Sequence, residues 1–530
     1  MRNPNSVSRL NFTAMAGTIQ VITSSLGDLV EGERAPARRA RAKGAPTSMT
    51  DRYSSEADIQ ATIDSSPFMR QRFPDREQRL VRVAPMPVAG VRGMTARPSS
   101  SNTITLATCT VIVEGCRVAD LAAATNRGAR VLHEGLDGKA LLQCDTVEQA
   151  FGIANLLHQR QVGSATPNFV RLLNRVRPST ATMNWAHDII GVQGAWKTTR
   201  GRADVKIAVL DEGVDASHPA LTAALVAQKD FIGGNGNSAA PSGDDAHGTA
   251  CAGIIVSRDS TKPGVARDCS LIAARIGMGN GNGSWVFDDY ATADAVDWAW
   301  REGAAVISNS WGGGLPSDAI SRAFGRARTQ GRSGLGSVVV IAAGNDQSPI
   351  DFPGDLAGYI TVGASNPKDE RKTRTSSDGE NFWGSNYGPT MWLLAPGVFI
   401  TTTDISGPRG YEPGDFTATF NGTSSATPHV AATAALMISA NPTLSVSQVR
   451  EILKATAKPL KGQKGWTAEL GWGRLDVAAA VTLSAGPTKS PVAKALSRVK
   501  REIVPTKKKK KTAAKRKARN APRSASRKGR

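Results

Sequence analysis

Apolar and polar residues follow a recurring pattern through the region 182–483 of this 530-residue chain. Short runs of consecutive apolar residues recur there, and longer amphipathic stretches separate one run from the next. Such runs are typical of strands that are buried on both faces, and the amphipathic stretches are typical of helices. The pattern therefore predicts an α/β fold in which a parallel sheet carries helices on both faces. The predicted strands are 205–210, 271–276, 305–311, 337–343 and 359–365, and the predicted helices include 288–303 and 317–331.

A second, smaller pattern precedes this region and covers residues 99–173. It consists of a strand, a helix, a hairpin that turns at Asp137-Gly138, a second helix and a last strand. The order β-α-β-β-α-β predicts a small α+β domain of the ferredoxin-like kind. Many unrelated proteins share this arrangement, so it indicates no function by itself.

The remaining segments differ in composition from these two regions. Residues 1–98 include a basic stretch rich in Ala, Pro and Arg, and we expect a mostly flexible extension with one short helix near 54–70. Residues 174–181 are expected to link the two predicted domains. Residues 484–530 lack apolar periodicity and predict a disordered basic tail.

The net charge of the chain, +21, is concentrated in this tail. Residues 498–530 contain sixteen Lys or Arg against one acid, Glu502, and contribute +15 of the total. A basic tail can bind nucleic acid, an anionic surface or acidic partners by releasing counterions. A solvated extension without a specific partner explains the composition equally well, and the sequence leaves both interpretations open.

Cysteine content and hydropathy bear on the compartment. No eighteen apolar residues run together, so no transmembrane helix is predicted. Polar residues interrupt the apolar part of the N-terminus, which argues against a signal peptide. The sparse cysteines suit free thiols in a reducing compartment, and together these features predict a cytoplasmic location. The cysteines are Cys109, Cys116, Cys144, Cys251 and Cys269.

Three peptides place a reactive side chain at the boundary of a predicted element. Asp211 directly follows the strand 205–210, and His247 opens the stretch HGTACAG at the start of a helix. Ser424 lies in NGTSSATP, at the first turn of a long apolar helix whose dipole and free N–H groups favour an oxyanion. Each residue also has an ordinary explanation: a turn-capping acid, a bystander imidazole and a helix-capping serine, a part that Ser425 could equally play.

The three residues occur in the order Asp, His, Ser, which is the order found in subtilisin. They lie in the blocks DEGVDASHP, HGTACAG and GTSSATPHVA, and a fourth block, VVVIAAGN, ends in Asn345. With these four blocks the chain resembles the subtilisin-like serine protease family over residues 182–483. The resemblance implies a subtilisin-like parallel sheet and a serine endopeptidase that acts on polypeptides.

The resemblance also implies a role for each residue. Ser424 would attack the scissile carbonyl to form an acyl-enzyme, and His247 would accept its proton and return it to the leaving amine. Asp211 would fix the imidazole tautomer and stabilise the imidazolium. The Asn345 amide and the Ser424 N–H would form the oxyanion hole. Cys251, in the His247 block, is interpreted as a helix-packing residue.

Substrate binding follows from the same resemblance. The family pairs extended substrates with a strand that corresponds here to SNSWGGG. Ser310, Trp311 and Gly312 should therefore form one side of the cleft, where the glycines leave room for a second backbone.

Some positions resemble the kexin-like branch of the family. Trp311 is larger than the leucine usual in plain subtilisins, and Glu212 and Asp244 are acids close to the triad residues in sequence. These acids predict a mild preference for Lys or Arg at the residue before the cleaved position. Against this preference, Leu315 stands where the kexin-like enzymes carry a further acid.

The ferredoxin-like region also gains an interpretation. The family's propeptides have this fold, assist folding and inhibit by placing their C-terminal tail in the cleft. Residues 99–173 would then form an inhibitory propeptide, and 173–185 would be the region of self-cleavage. The alternative is a permanent N-terminal domain that does not inhibit.

Three points stay open at this stage. Subtilisin-like enzymes often bind calcium, but no carboxylate cluster here has readable ligand spacing, so we assign no metal site and no cofactor. The family is mostly secreted, which competes with the cytoplasmic prediction. A nucleic-acid-associated protein with an idle protease-like body is the competing function, and the intact catalytic positions argue against it.

Overall fold

The computed structural model describes most of the two predicted domains. The described residues up to Ala485 belong to one compact unit, and Gly486 falls in a second. The predicted helix at 54–70 and the basic tail lie outside the described residues, so both stay predictions, as do the domain boundaries. The described residues are 80–82, 104–134, 138–145, 147–174, 185–232, 238–279 and 284–486.

The elements are numbered here along the described parts of the chain. The strands are β1 (Leu80–Arg82), β2 (Ile104–Glu114), β3 (Arg130–Glu134), β4 (Ala140–Gln143), β5 (Ser164–Asn174), β6 (Lys206–Asp211), β7 (Leu225–Asp230), β8 (Ser270–Arg275), β9 (Gly277–Gly279), β10 (Ser284–Asp288), β11 (Ala304–Asn309), β12 (Val338–Ala342), β13 (Ile360–Ser365), β14 (Met391–Pro396), β15 (Ile400–Thr403) and β16 (Phe416–Phe420). The α-helices are α1 (Ala122–Thr125), α2 (Val147–Gln159), α3 (Trp185–Ile189), α4 (Val192–Trp196), α5 (His247–Val256), α6 (Asp289–Arg301), α7 (Asp318–Gln330), α8 (Thr423–Ala440), α9 (Val446–Thr456) and α10 (Val477–Ser484).

A seven-stranded parallel sheet forms the centre of the larger domain, in the order β14-β13-β12-β11-β6-β8-β7. All of its neighbouring strands pair in parallel. The predicted parallel sheet is therefore confirmed. The prediction missed β7 and β14; β7 lies at an edge, where its sequence LVAQKD is only partly buried and mixes polar with apolar residues.

Helices cover both faces of this sheet. Ala208 and Leu210 on β6 join a core cluster with residues of α6 and α7. Ile207 and Val209 alternate with them and are also buried, because side chains along a strand point to opposite faces. On α8, every residue from Thr423 to Ser439 is buried, which fits a helix that is apolar all round.

The smaller domain has the predicted β-α-β-β-α-β order. Its strands pair antiparallel in the order β3-β4-β2-β5, and its own apolar cluster lies between the sheet and α2. The first predicted helix of this domain is shorter than expected: a 3-10 turn at Val118–Leu121 leads into the four-residue α1.

The sheet of the smaller domain does not end at β5. Strand β5 pairs antiparallel with β10, and β10 pairs with β9, so two strands of the larger domain extend this sheet. The sequence analysis did not predict β10, because it follows the glycine- and asparagine-rich stretch GNGNG, which is typical of a loop. This pairing joins the two domains next to the carboxyl ends of the large sheet's strands.

Two helical glycines lead to opposite predictions for stability. A Cβ at Gly253 on α5 would collide with Thr403 Oγ1 and lie 2.8 Å from the Thr403 nitrogen, whereas a Cβ at Gly325 on α7 would meet nothing within 4 Å. Gly253→Ala should therefore lower the free energy of unfolding by about 1–3 kcal/mol, through overpacking. Gly325→Ala should raise it by up to about 1 kcal/mol, because alanine favours the helix. Chemical denaturation of both variants measures the difference, and equal shifts would contradict the packing described here.

Candidate active site

The carboxyl ends of three neighbouring strands bring the predicted site residues to one edge of the large sheet. Asp211 is the last residue of β6, Ser310 directly follows β11, and Asn345 lies shortly after β12. Because β6, β11 and β12 are parallel neighbours, their carboxyl ends meet at the same edge. Residues that are far apart in sequence are therefore close in space.

Asp211 and His247 form a buried hydrogen-bonded pair at this edge. His247 Nδ1 lies 2.9 Å from one carboxylate oxygen of Asp211 and 3.1 Å from the other. The ring of His247 packs against Trp285 and Phe420, with centroid distances of 5.8 and 5.4 Å. These contacts hold the imidazole in one orientation. Since Nδ1 faces Asp211, Nε2 is the ring nitrogen that does not contact this carboxylate.

The electrostatic environment of His247 favours its protonated form. Burial alone would lower the pKa of the imidazole, but the Asp211 carboxylate and, after it, the Cys251 side chain together outweigh this effect and raise the pKa well above its usual value. The imidazolium that would form during proton transfer is therefore stabilised by Asp211. Burial raises the pKa of the neighbouring Cys251 thiol, which keeps that group protonated.

Ser424 lies in the first turn of α8, close to this pair, and is 8% exposed. Its hydroxyl donates to the backbone oxygen of Ser310 at 3.1 Å, and the Ser310 hydroxyl donates to the backbone oxygen of Ser424 at 2.9 Å. Cys251 Sγ lies 3.6 Å from the same Ser424 oxygen and 3.9 Å from His247 Nδ1. The thiol therefore fills the space between the two helices that carry His247 and Ser424, which agrees with a packing role.

Asn345 and the Ser424 backbone converge beside Gly422. Asn345 Oδ1 accepts hydrogen bonds from the nitrogen and the hydroxyl of Thr423, at 2.8 and 3.0 Å. Since a backbone N–H can only donate, the amide oxygen must face Thr423 and Nδ2 must point elsewhere. A Cβ on Gly422 would lie 3.3 Å from that Nδ2 and 3.5 Å from the Ser424 nitrogen. Two donors thus lie close together, and the φ of +109° at Gly422 favours glycine there.

The predicted cleft residues differ in their exposure. Ser310 is buried and exchanges hydrogen bonds with Ser424, whereas Gly312 is partly exposed. Trp311 is 3% exposed and packs against Phe287 and Phe324, with centroid distances of 5.2 and 6.2 Å. Its side chain belongs to the core under the cleft, so in this structure the size of Trp311 serves packing.

The two acids expected beside the cleft are placed differently from one another. Glu212 is 0% exposed, and its carboxylate accepts a hydrogen bond from the backbone nitrogen of His247 at 2.8 Å. This carboxylate supports the start of α5, and the subsite role of Glu212 stays a prediction. Asp244 is exposed, and its subsite role stays a prediction.

Sequence reasoning missed Trp285, the aromatic residue on β10 that packs against His247. The alternation of Trp285 and Phe287 in SWVFD was a signal for a strand, but the glycine-rich flank obscured it. Its neighbour on β5 is Leu173, so the last residues of β5 run beside the residue that contacts the imidazole.

A group of three metal-ligating side chains lies within the part of the chain that the structure describes. Asp211, His247 and Cys251 offer ligand atoms within 4.8 Å of one another. One carboxylate, one imidazole and one thiol do not fit calcium, which prefers about six to eight oxygen ligands. These atoms also contact one another in the candidate triad, so we assign no metal to them.

Fold and site together define a class, the serine peptidases built on a parallel α/β sheet. Among solved structures, fervidolysin from Fervidobacterium pennivorans, described as a keratinolytic enzyme related to subtilisin, shares the fold with a TM-score of 0.57 and 21% identity, over 71% of this chain and 61% of that one. Residues 202–473 match the subtilase family. The chain belongs to the subtilase family.

Several curated relatives agree with this assignment. The chain is 36% identical to subtilisin DY of Bacillus licheniformis over 265 residues, which are 49% of this chain and 85% of the relative. It is 33% identical to thermitase of Thermoactinomyces vulgaris over 272 residues, 51% and 86% of the two chains. A protein named calcium-dependent protease, from a Nostoc species, is 31% identical over 394 residues, 64% and 57% of the two chains.

These findings confirm a subtilisin-like serine endopeptidase. The predicted kexin-like features are not confirmed. No helix in the described stretches is both long and apolar enough to cross a bilayer.

The buried Asp211–His247 pair can be tested directly. Asp211→Asn should lower the pKa of His247, because the carboxylate that favours the imidazolium is lost while burial continues to disfavour it. An NMR pH titration of the imidazole resonances measures this shift. Asp244→Asn is the control, since Asp244 is exposed and lies three residues before His247 in the sequence. A His247 pKa that is equal in wild type and Asp211→Asn would contradict the pairing.

Proposed function

We propose that this chain hydrolyses peptide bonds through an acyl-enzyme on Ser424, with His247 as general base and Asp211 as its partner. The buried hydrogen bond between Asp211 and His247 carries this proposal, because it orients an imidazole beside the helix start that bears Ser424. A serine hydroxyl is a weak nucleophile until a neighbouring base accepts its proton. Family membership supports the same chemistry.

The reaction would proceed in two halves. Ser424 Oγ attacks the scissile carbonyl carbon while His247 Nε2 accepts the hydroxyl proton, and the imidazolium then gives that proton to the leaving amine. A water molecule, deprotonated by the same imidazole, attacks the acyl carbonyl; the ester bond to Ser424 breaks, the imidazolium returns its proton to Ser424 Oγ, and the acid product leaves. Asp211 stabilises the imidazolium in both halves. Because the pKa of His247 is raised, its neutral form becomes protonated at a higher pH than that of an ordinary histidine. When the pH is lowered, activity should therefore begin to fall at that higher pH.

The negative oxygen of the tetrahedral intermediate requires donors that are already in place. Asn345 Nδ2 and the Ser424 N–H are proposed for this role, since both lie beside Gly422. The hydrogen bonds from Thr423 to Asn345 Oδ1 fix the amide, so no reorientation is needed when charge develops.

The N-terminal domain is proposed to inhibit the enzyme before it is removed. Pairing of β5 with β10 leads the chain past Trp285, which contacts His247, and so toward the triad. This is the path that an extended substrate would follow in β-strand addition.

Charged contacts support the docking of the two domains. Lys139, which is 2% exposed, lies 3.2 Å from Asp294 and 3.4 Å from Asp297, both on α6. Arg326 on α7 joins Asp297 at 2.7 Å to Glu114 of β2 at 3.1 Å. Buried pairs of this kind favour one docking geometry over others, because each misplaced charge would be left without a partner.

Self-processing should separate the domains within 173–185. Wild-type chain should shorten during incubation and react with a fluorophosphonate, whereas Ser424→Ala should keep its full mass and fail to react, because the nucleophile is missing. Mass spectrometry and probe labelling measure the two outcomes. Ser425→Ala is the matched control and should behave like wild type.

Each outcome separates a part of the proposal. Labelling that persists in Ser424→Ala would refute Ser424 as the nucleophile. Equal masses for wild type and Ser424→Ala, with labelling of wild type alone, would favour a permanent N-terminal domain and refute self-processing.

The oxyanion role of Asn345 has its own test. Asn345→Asp keeps the oxygen that accepts from Thr423 but replaces the Nδ2 donor, so kcat should fall by at least about 10²–10³-fold, a magnitude known from loss of one such donor in a subtilisin. Steady-state peptide hydrolysis measures kcat. Asn381→Ala, at an exposed position, serves as the control. A kcat within a few-fold of wild type would rule out this donor.

Three further expectations have less support. Calcium binding rests on the relatives named calcium-dependent proteases, and we derive no catalytic step from it. The cytoplasmic prediction finds no support among the relatives, and secretion, which the family resemblance implies, is proposed instead. A nucleic-acid or anionic partner for the basic tail also finds no support in the comparisons and stays a prediction.

A further inference from the structure

Arg171 on β5 inserts its guanidinium into a closed pocket of the larger domain. Both Arg171 and its partner Asp289 are 1% exposed. Arg171 Nε and Nη2 donate to the two carboxylate oxygens of Asp289, at 2.6 and 3.0 Å. This two-pronged contact is the strongest common geometry between a guanidinium and a carboxylate.

The rest of the pocket also fits a guanidinium. Arg171 Nη1 donates to the backbone oxygen of Gly313 at 2.7 Å, and Nη2 donates to that of Leu315 at 2.6 Å. The rings of Phe287 and Phe352 lie with their centroids 5.9 and 5.2 Å from the guanidinium carbon. All of these groups belong to the larger domain. The pocket therefore stays behind when the N-terminal domain leaves.

The position of Arg171 along β5 relates this pocket to the cleft. Arg171 pairs with Phe287, Leu173 pairs with Trp285, and Asn174 is the last paired residue of the strand. Trp285 packs against His247, so the chain reaches the catalytic imidazole at about residues 173–174. If Asn174 supplies the scissile carbonyl, Arg171 is the fourth residue before the cleaved bond. Of the two residues whose carbonyls bind the guanidinium, Gly313 lies within the predicted cleft segment SNSWGGG and Leu315 directly follows it.

We propose that this pocket binds an arginine side chain of polypeptide substrates, at the fourth residue before the cleaved bond, and that Asp289 determines this specificity. The inference rests on the proposed function, since it uses the same cleft. Arginine fits better than lysine, because the pocket offers a carboxylate, two separated carbonyls and two aromatic faces to a planar group with five N–H donors. Before it is cleaved, β5 would occupy the cleft in the same way as a substrate.

A purely structural clamp between the domains is the competing explanation. A clamp would need the ion pair only while the N-terminal domain is bound, and the free enzyme would then show no preference among substrates. A subsite, in contrast, leaves a buried carboxylate that a neutral side chain cannot satisfy, so substrates without the charge should be cleaved poorly.

The test compares two peptides that differ only in this charge. Quenched fluorescent peptides carry the sequence of residues 168–174 followed by two alanines, with either arginine or its neutral isostere citrulline at the position of Arg171. The enzyme is the full-length chain after self-processing, with its active sites counted by a fluorophosphonate. The arginine peptide should have a kcat/KM on the order of ten- to a hundredfold higher, because a hydrogen-bonded charge is lost in the other.

Variants then assign the preference to Asp289. Asp289→Asn should bring the ratio of the two kcat/KM values toward one. Asp294→Asn is the matched control: it lies on the same helix, pairs with Lys139 instead, and should keep the wild-type ratio. Because the wild-type comparison needs no variant, the proposal is testable even if Asp289→Asn does not fold.

The outcomes distinguish the pocket from the protease. Labelled wild-type enzyme that cleaves both peptides equally, or cleaves only at a bond other than the one after Asn174, overturns the subsite and leaves the proposed function intact. Enzyme that neither reacts with the probe nor cleaves either peptide overturns the proposed function, and the subsite with it.

Discussion

The hydrogen bond between the Asp211 carboxylate and the His247 imidazole is the interaction on which the rest of the site depends. It places two ionisable groups in a buried position, which costs free energy unless each satisfies the other. The parallel sheet allows this arrangement, because Asp211 ends β6 at the edge of the sheet where α5 begins. Glu212 accepts from the His247 backbone, so two adjacent acids hold one residue from two sides.

The same edge explains why inhibitor and substrate would share a binding mode. Strand β10 pairs with β9 along one edge, and its other edge offers backbone groups to an extended chain; in this structure β5 occupies that second edge. Backbone hydrogen bonds are nearly the same for every substrate sequence. Selectivity must therefore come from the side chains that project from alternate positions of the bound strand. Arg171 is such a side chain, and Asp289 meets it at the first residue of α6.

The helices, strands and candidate triad residues could be predicted from the sequence because their signals lie in short stretches of neighbouring residues. Asp211, His247 and Ser424 each adjoin a recognisable apolar run or helix start, and their order along the chain carries further information. The β5–β10 pairing was not predictable in this way, since it joins segments more than a hundred residues apart with no shared pattern. The contact between Glu212 and the start of α5 was not predictable either, because Glu212 neighbours Asp211 and adjacent residues at the end of a strand point in different directions.

If the N-terminal domain is an inhibitor, as proposed, its charged contacts with the larger domain oppose its release. Before cleavage, the N-terminal domain is covalently joined to the larger domain. Its contacts through β5, Arg171 and Lys139 therefore form at a high effective concentration, and each contact reinforces the others. The proposed cleavage after β5 would remove that connection but leave every contact in place, so the cut domain should dissociate slowly. Continued proteolysis of the released domain would then make the separation irreversible, since a degraded strand cannot return to the pocket. The specificity of the pocket and the delay before activity would thus have one physical origin, the two-pronged contact between Arg171 and Asp289.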